Sequence, residues 1–222
     1  SALGAGDVAA NALLTTHAGA SAGVVGWLLC EFVRSKRATA VGAATGAVVG
    51  LVAITPAAGF VTPLGALAIG VLAAPLSFAA LHWRSTSRLD DTLDVFACHG
   101  VAGVSGAVLT GVFATTSVNS AGADGALYGN LSLLWVQLLA VVATGAFAAV
   151  ATAALYFLVR AIVPMRVPVS AEVMGIDLSE HGEEAYHGND LSDLTGTRAP
   201  LGEPVLLPAR DVVIEPRAVL GR

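Results

Sequence analysis

The chain has 222 residues, of which 55% are hydrophobic and only 12% charged, and its formal net charge is −5. An ordinary soluble domain carries about 25% charged residues, so this composition excludes a disordered chain and speaks against a soluble globular one. The acidic balance, with a pI near 5.4, excludes a nucleic-acid binder, which needs a basic surface.

Long uncharged runs set the organisation. Residues 38–81 contain no Asp, Glu, Lys, Arg or His, residues 95–123 contain His99 as their one such residue, and residues 125–159 again contain none. A membrane-spanning helix needs about 20 mostly apolar residues. In lipid every backbone N–H and C=O must be paired within the segment, so such runs are expected to be helical. Unbroken hydrophobicity also excludes the alternating pattern of an outer-membrane barrel.

Turn chemistry and charge divide the runs into five expected spans. The first covers about 8–33 and the second about 38–55, which Pro56 and the following Ala57, Ala58 and Gly59 end. The third covers about 63–83 and starts at Pro63, a residue suited to a first helical turn. The fourth covers about 95–115 and the fifth about 131–163. Together they form an expected transmembrane domain, residues 1–166, followed by a cytoplasmic tail, residues 167–222. The tail is set apart by its Glu, Asp, Gly and Pro content.

The basic residues give the expected topology. Arg34, Lys36 and Arg37 follow the first span, Arg84 and Arg88 the third, and Arg160 and Arg166 the fifth; the other four are in the tail. The loops 55–62 and 116–130 have none. Under the positive-inside rule the chain starts outside and ends in the cytoplasm, as an odd number of spans requires.

Small residues run through the spans. Gly42, Gly46 and Gly50 recur every four residues, and Gly100, Gly103, Gly106 and Gly111 mark the fourth span. Such stripes let helix backbones approach closely. Cys30 and Cys98 have neither disulfide nor metal spacing and read as small core residues. No phosphate-binding loop, nucleophile elbow or metal-type His/Cys spacing occurs, so no enzyme, metal or cofactor is expected.

His99 is the sharpest candidate for chemistry. An ionisable group in a span is costly and usually faces a bundle interior or an aqueous path. Neutral imidazole both donates and accepts a hydrogen bond, which suits a small polar molecule in transit; the alternative is a structural bond to a neighbouring helix. For His17 the structural role is favoured, and His82 is expected at the membrane boundary. Asp90, Asp91 and Asp94 form an expected helix-capping acid cluster: Asp90 and Asp91 sit before the fourth span, where carboxylates can cap free N–H groups and complement the helix dipole, and Asp94, about one turn before His99, is expected to hold helix ends together.

Residues 90–103, DDTLDVFACHGVAG, are similar to the signature of the ammonium transporter (Amt/Mep/Rh) family. The resemblance continues through residues 106–114, GAVLTGVFA, and is found upstream in residues 46–60, GAVVGLVAITPAAGF. Residues 175–186, GIDLSEHGEEAY, resemble the tail motif of the bacterial Amt branch. The resemblance spans roughly residues 1–187. It implies an all-α, polytopic transmembrane helical bundle, the second part of an eleven-helix inverted-repeat fold. This chain would supply spans seven to eleven and the tail, in keeping with an opening at Ser1 rather than Met.

The resemblance further implies transport of ammonium across the cell membrane. Ammonium would be recruited at an outer vestibule, deprotonated, and conducted as ammonia past two facing histidines. His99 matches the second of these pore-lining histidines and Ser1 the vestibule serine. Asp177, Glu183 and Tyr186 match a regulatory tail motif. Partners implied are the lipid bilayer, two further copies in a homotrimer, and a PII-type signal protein at the cytoplasmic face. Arg37 stands where the family often has a lysine, and Cys98 where it more often has a valine. The alternatives are an ammonium sensor or regulatory membrane protein of the same fold, and a non-conducting remnant.

Overall fold

A computed structural model describes Ala2 and residues 4–183. The chain divides into two compact units, residues 1–157 and 158–222. The first holds α1 (Asp7–Ser35), α2 (Ala40–Ile54) and α3 (Pro63–Thr86), then a π-turn (Phe96–Val101) that runs into α4 (Ala102–Phe113). A 3-10 turn (Ala126–Tyr128) precedes α5 (Leu131–Arg160), whose last residues enter the second unit. The described part of that unit holds α6 (Val169–Met174) and a short π-turn (Asp177–His181). Among the described residues there is no strand.

Among the described residues, four helical segments are long and apolar enough to cross a membrane: Asp7–Ser35, Pro63–Thr86, Phe96–Phe113 and Leu131–Arg160. The fifth apolar helix, α2, has 15 residues, roughly 22 Å at 1.5 Å per residue against a hydrocarbon core of about 30 Å. It compensates by packing inside the bundle rather than by length: Val49, Ala53 and Ile54 are fully buried.

Local chemistry sets the helix ends. Thr39 caps α2, its hydroxyl accepting from Gly42 N at 2.8 Å. Thr62 caps α3 in the same way through Gly65 N at 3.2 Å, and Pro63 follows in the first turn. Each cap satisfies one of the four N–H groups that a helix start leaves free. The α2–α3 turn exposes carbonyls that lipid cannot satisfy. Asn11 Nδ2 donates to Ala58 O and Val61 O, both at 3.1 Å, and Thr15 Oγ1 donates to Ala58 O at 2.7 Å. Two polar side chains of α1 therefore tie down the turn that joins its neighbours.

The glycine stripe of α2 is an interlock. A Cβ on Gly23 would stand 2.5 Å from Gly46 O and 2.7 Å from Gly50 Cα. No side chain fits there, so the α1 and α2 backbones touch, gaining dispersion contacts where lipid offers no hydrophobic drive. The core between α1, α2 and α3 is correspondingly small-sided: Ala66, Ile69, Ala73 and Ala74 of α3 are fully buried against it.

Candidate pore-lining site

Within the first unit, the chain reaches His99 through a sequence of local constraints. The Asp91 carboxylate accepts from Val95 N at 2.9 Å and from Phe96 N at 2.8 Å. Those are N–H groups at the start of the coming helix, where a negative charge is also favoured by the helix dipole. Asp94 does something other than cap. Its backbone is left-handed, φ 54°, and its carboxylate pairs with Arg84 at the end of α3. Asp90 accepts from the Thr92 hydroxyl at 3.4 Å, within the same loop.

The next six residues, FACHGV, form a π-turn instead of α-helix. A π-turn holds one more residue than the α-helical turn it replaces, and such turns concentrate at functional sites. His99 lies inside it. Ala97 and Cys98 point into the bundle and are buried, whereas His99 and Gly100 are exposed. Beyond the turn, Ser105 and Thr110 are buried polar residues of α4. Their hydroxyls donate back to Val101 O at 2.7 Å and Gly106 O at 2.8 Å, so neither is left unpaired.

His99 opens onto a groove of about 370 Å³ between the π-turn with α4 and the middle of α5. Gly103, Val104 and Ala107 form one wall, and Ala140, Thr144 and Gly145 are among the residues of the other. The imidazole is the one ionisable side chain in that lining. Among the described residues none provides a hydrogen-bond partner for the ring. The groove can therefore offer a small polar molecule one donor and one acceptor nitrogen in a wall otherwise made of small and apolar residues. No group of three or more His, Cys, Asp or Glu side chains suited to a metal ion exists among the described residues.

The other candidates are dispersed. Asp177 opens the π-turn of the second unit, and Glu183 N donates to Asp177 O at 3.1 Å, closing that turn on itself. Ser1 and Tyr186 lie outside the described residues. His17 is exposed on α1 with Nδ1 3.2 Å from Leu13 O, a bond to its own helix. The structure thus places Asp90, Asp91 and Asp94 in the loop that leads into the π-turn of His99, and none of the three lines its groove. It adds two groups that the sequence reading passed over: Arg84, the partner of Asp94, and the buried Trp27 with Glu31 one helical turn on.

A model of the Ammonium Transporter Family matches residues 1–186. An ammonium transporter of Bacillus subtilis is 45% identical over 187 residues, covering 84% of this chain and 46% of that protein. The ammonium transporter Amt1 of Archaeoglobus fulgidus is 41% identical, covering 84% and 47% respectively. The chain thus spans about half the length of these relatives. Among solved structures, Mep2 of Saccharomyces cerevisiae is 35% identical with a TM-score of 0.66, covering 70% of this chain and 37% of that one. A structure described as a sensor Amt protein is 26% identical with a TM-score of 0.69, covering 78% and 42%.

Proposed function

Since the chain belongs to the ammonium transporter family, we propose that it forms the second half of an ammonium-conducting pore, with His99 in the wall of the conduit. The observation that carries this reading is the position of His99. It is the exposed, ionisable member of a groove otherwise lined by small and apolar residues, in a chain whose relatives are named ammonium transporters.

The physics follows from the cost of charge. A bare ammonium ion in an apolar conduit pays a large desolvation penalty, whereas neutral ammonia does not. Ammonium gives up one proton to water at an outer vestibule, where the Ser1 hydroxyl is an acceptor for its N–H groups. Ammonia then passes the His99 ring, whose nitrogens replace lost water hydrogen bonds without a fixed charge that would trap it. Potassium cannot give up a proton and is held back. The groove closes into a conduit against an inverted partner half, the arrangement of repeat-built transporters. Three copies associate in the cell membrane with the C-terminus in the cytoplasm. There Asp177, Glu183 and Tyr186 present a tail motif to a PII-type signal protein.

Methylammonium uptake by the full-length protein in proteoliposomes tests the reading. His99→Ala lowers uptake at least tenfold while the protein stays folded; uptake equal to the parent rejects the role of His99. One finding favours a second reading, an ammonium sensor: the likeness to the sensor Amt protein. A sensor would bind ammonium in the full-length protein but give no uptake above protein-free vesicles.

A further inference from the structure

A second cavity, of about 310 Å³, lies where α1 and α3 end, beside the start of α2 and the loop before the π-turn. Its chemistry comes from Trp27, Glu31, Phe78, His82 and Asp94, with Arg34 exposed at its rim. Trp27 is 3% exposed, and its indole Nε1 has no hydrogen-bond partner. The ring nevertheless lines the cavity, which places an aromatic surface in its wall.

The rest of the lining fits a cation. Phase by phase along one wall, the Trp27 ring stands edge-on to Phe78 at 5.2 Å, and Phe78 lies 4.5 Å from the His82 ring. His82 Nδ1 faces Phe78 O at 3.1 Å, which leaves Nε2 for the cavity. The Glu31 carboxylate accepts from Thr39 N at 2.9 Å and Thr39 Oγ1 at 3.0 Å, both neutral donors. Among the described residues no cationic group pairs with it, whereas the charge of Asp94 is met by Arg84. A carboxylate without a direct ion pair beside aromatic rings is a combination that attracts ammonium groups, through charge and through the ring faces. The volume leaves room for hydrating water, at roughly 30 Å³ per molecule.

We propose that this cavity binds a hydrated ammonium-type cation: its N–H groups donate to Glu31, with the Trp27 and Phe78 rings in the wall beside it. The choice of ligand rests on the transport reading, but the site is separate from the groove at His99. The closest cation of similar size, potassium, has no N–H groups to direct at the carboxylate.

The test is tryptophan fluorescence of the full-length protein in lipid nanodiscs, read as the difference between the parent and Trp27→Phe. Ammonium chloride is titrated against potassium chloride at constant ionic strength. The expected result is a saturable change with ammonium alone. Its half-point rises at least tenfold in Glu31→Gln, which keeps an oxygen to accept from Thr39. Thr45→Leu, which fills the cavity from its rim without touching the Glu31 hydrogen bonds, weakens the response as well. A flat difference signal, an equal response to potassium, or parent-like titration of both variants overturns the proposal. Uptake measured on the same proteins in proteoliposomes separates the two readings: normal uptake with a flat titration sinks the cavity alone, and absent uptake with a normal titration sinks transport alone.

Discussion

Two faces of the first unit use the same small residues to opposite ends. Between α1 and α2, glycine meets backbone: a Cβ on Gly23 has Gly46 O and Gly50 Cα in its way. Along the His99 groove, glycine meets space: a Cβ on Gly103 would come no nearer than 3.8 Å to Val52, and one on Gly145 would have nothing within 4 Å. The first set holds the bundle together, and the second keeps a wall low beside an imidazole. Spacing in the sequence does not separate these uses, because both sets sit at helical intervals in apolar runs. What separates them is whether a second backbone arrives.

The sharpest way to break that contrast is to add the same methyl group on each side. Gly23→Ala forces the two backbones apart and costs about 1–3 kcal/mol, as overpacking does. It should lower the melting temperature and the folded yield in detergent. Gly145→Ala has room for its methyl and gains helix propensity, up to about 1 kcal/mol, so its stability should match or exceed the parent's. Equal losses in both variants would remove the distinction between interlock and lining.

A smaller effect tests how the groove is aimed. The Arg84–Asp94 pair joins the end of α3 to the residue where the backbone turns left-handed before the π-turn. Its side chains are 21% and 28% exposed, and Arg84 Nε is buried without a partner. Asp94→Ala leaves that guanidinium uncompensated and should cost about 1–2 kcal/mol, between the values for surface and buried pairs. Arg84→Met in the Asp94→Ala background should cost less than the sum of the single changes, because the orphaned charge is gone. Additive losses in thermal unfolding would show that the two residues are not coupled. Asp91→Ala should cost about 1 kcal/mol, the usual value of a lost cap, and should lower hydrogen-exchange protection at Val95 and Phe96 first.

How much of this was readable from the residues depends on the range of the interaction. The helical membrane class follows from the uncharged runs, because lipid leaves a long apolar segment no other way to pair its backbone. A carboxylate just before a helix announces a cap, and Asp91 is placed to act as one. His99 stood out as the one ionisable side chain of an uncharged run, but its exposure in the groove is a matter of side-chain direction that periodicity alone leaves open. The π-turn was not legible: FACHGV contains nothing that distinguishes a wider turn from an α-helical one, and the choice depends on what Ala97 and Cys98 pack against. Nor was the Arg84 partnership, since it lies ten positions before Asp94, across a helix end and a loop. The i, i+4 spacing of Trp27 and Glu31 was a usable signal, for it puts both on one helix face, but neither residue's surroundings could be inferred from it.

The smallest expected effect lies at the far end of α4, in the loop that leads to α5. There the Asp124 carboxylate accepts from Thr116 N at 2.8 Å and from the Thr116 hydroxyl at 3.1 Å. The backbone hydrogen bond, more than the hydroxyl, holds its pKa below the ordinary carboxylate range. A group whose folded pKa is depressed adds stability above its unfolded pKa and loses it as the pH falls through the folded value. The 116–124 loop should therefore be indifferent to pH across the neutral range and loosen only under acid conditions. Asp124→Asn should remove that acid-dependent step while the His99 groove, built by other segments, keeps its uptake. Hydrogen exchange at the Thr116 amide, followed from neutral to acid pH in parent and variant, reads this directly. A loosening that begins near neutrality, or that persists unchanged in Asp124→Asn, would assign the loop's acid response to a different group.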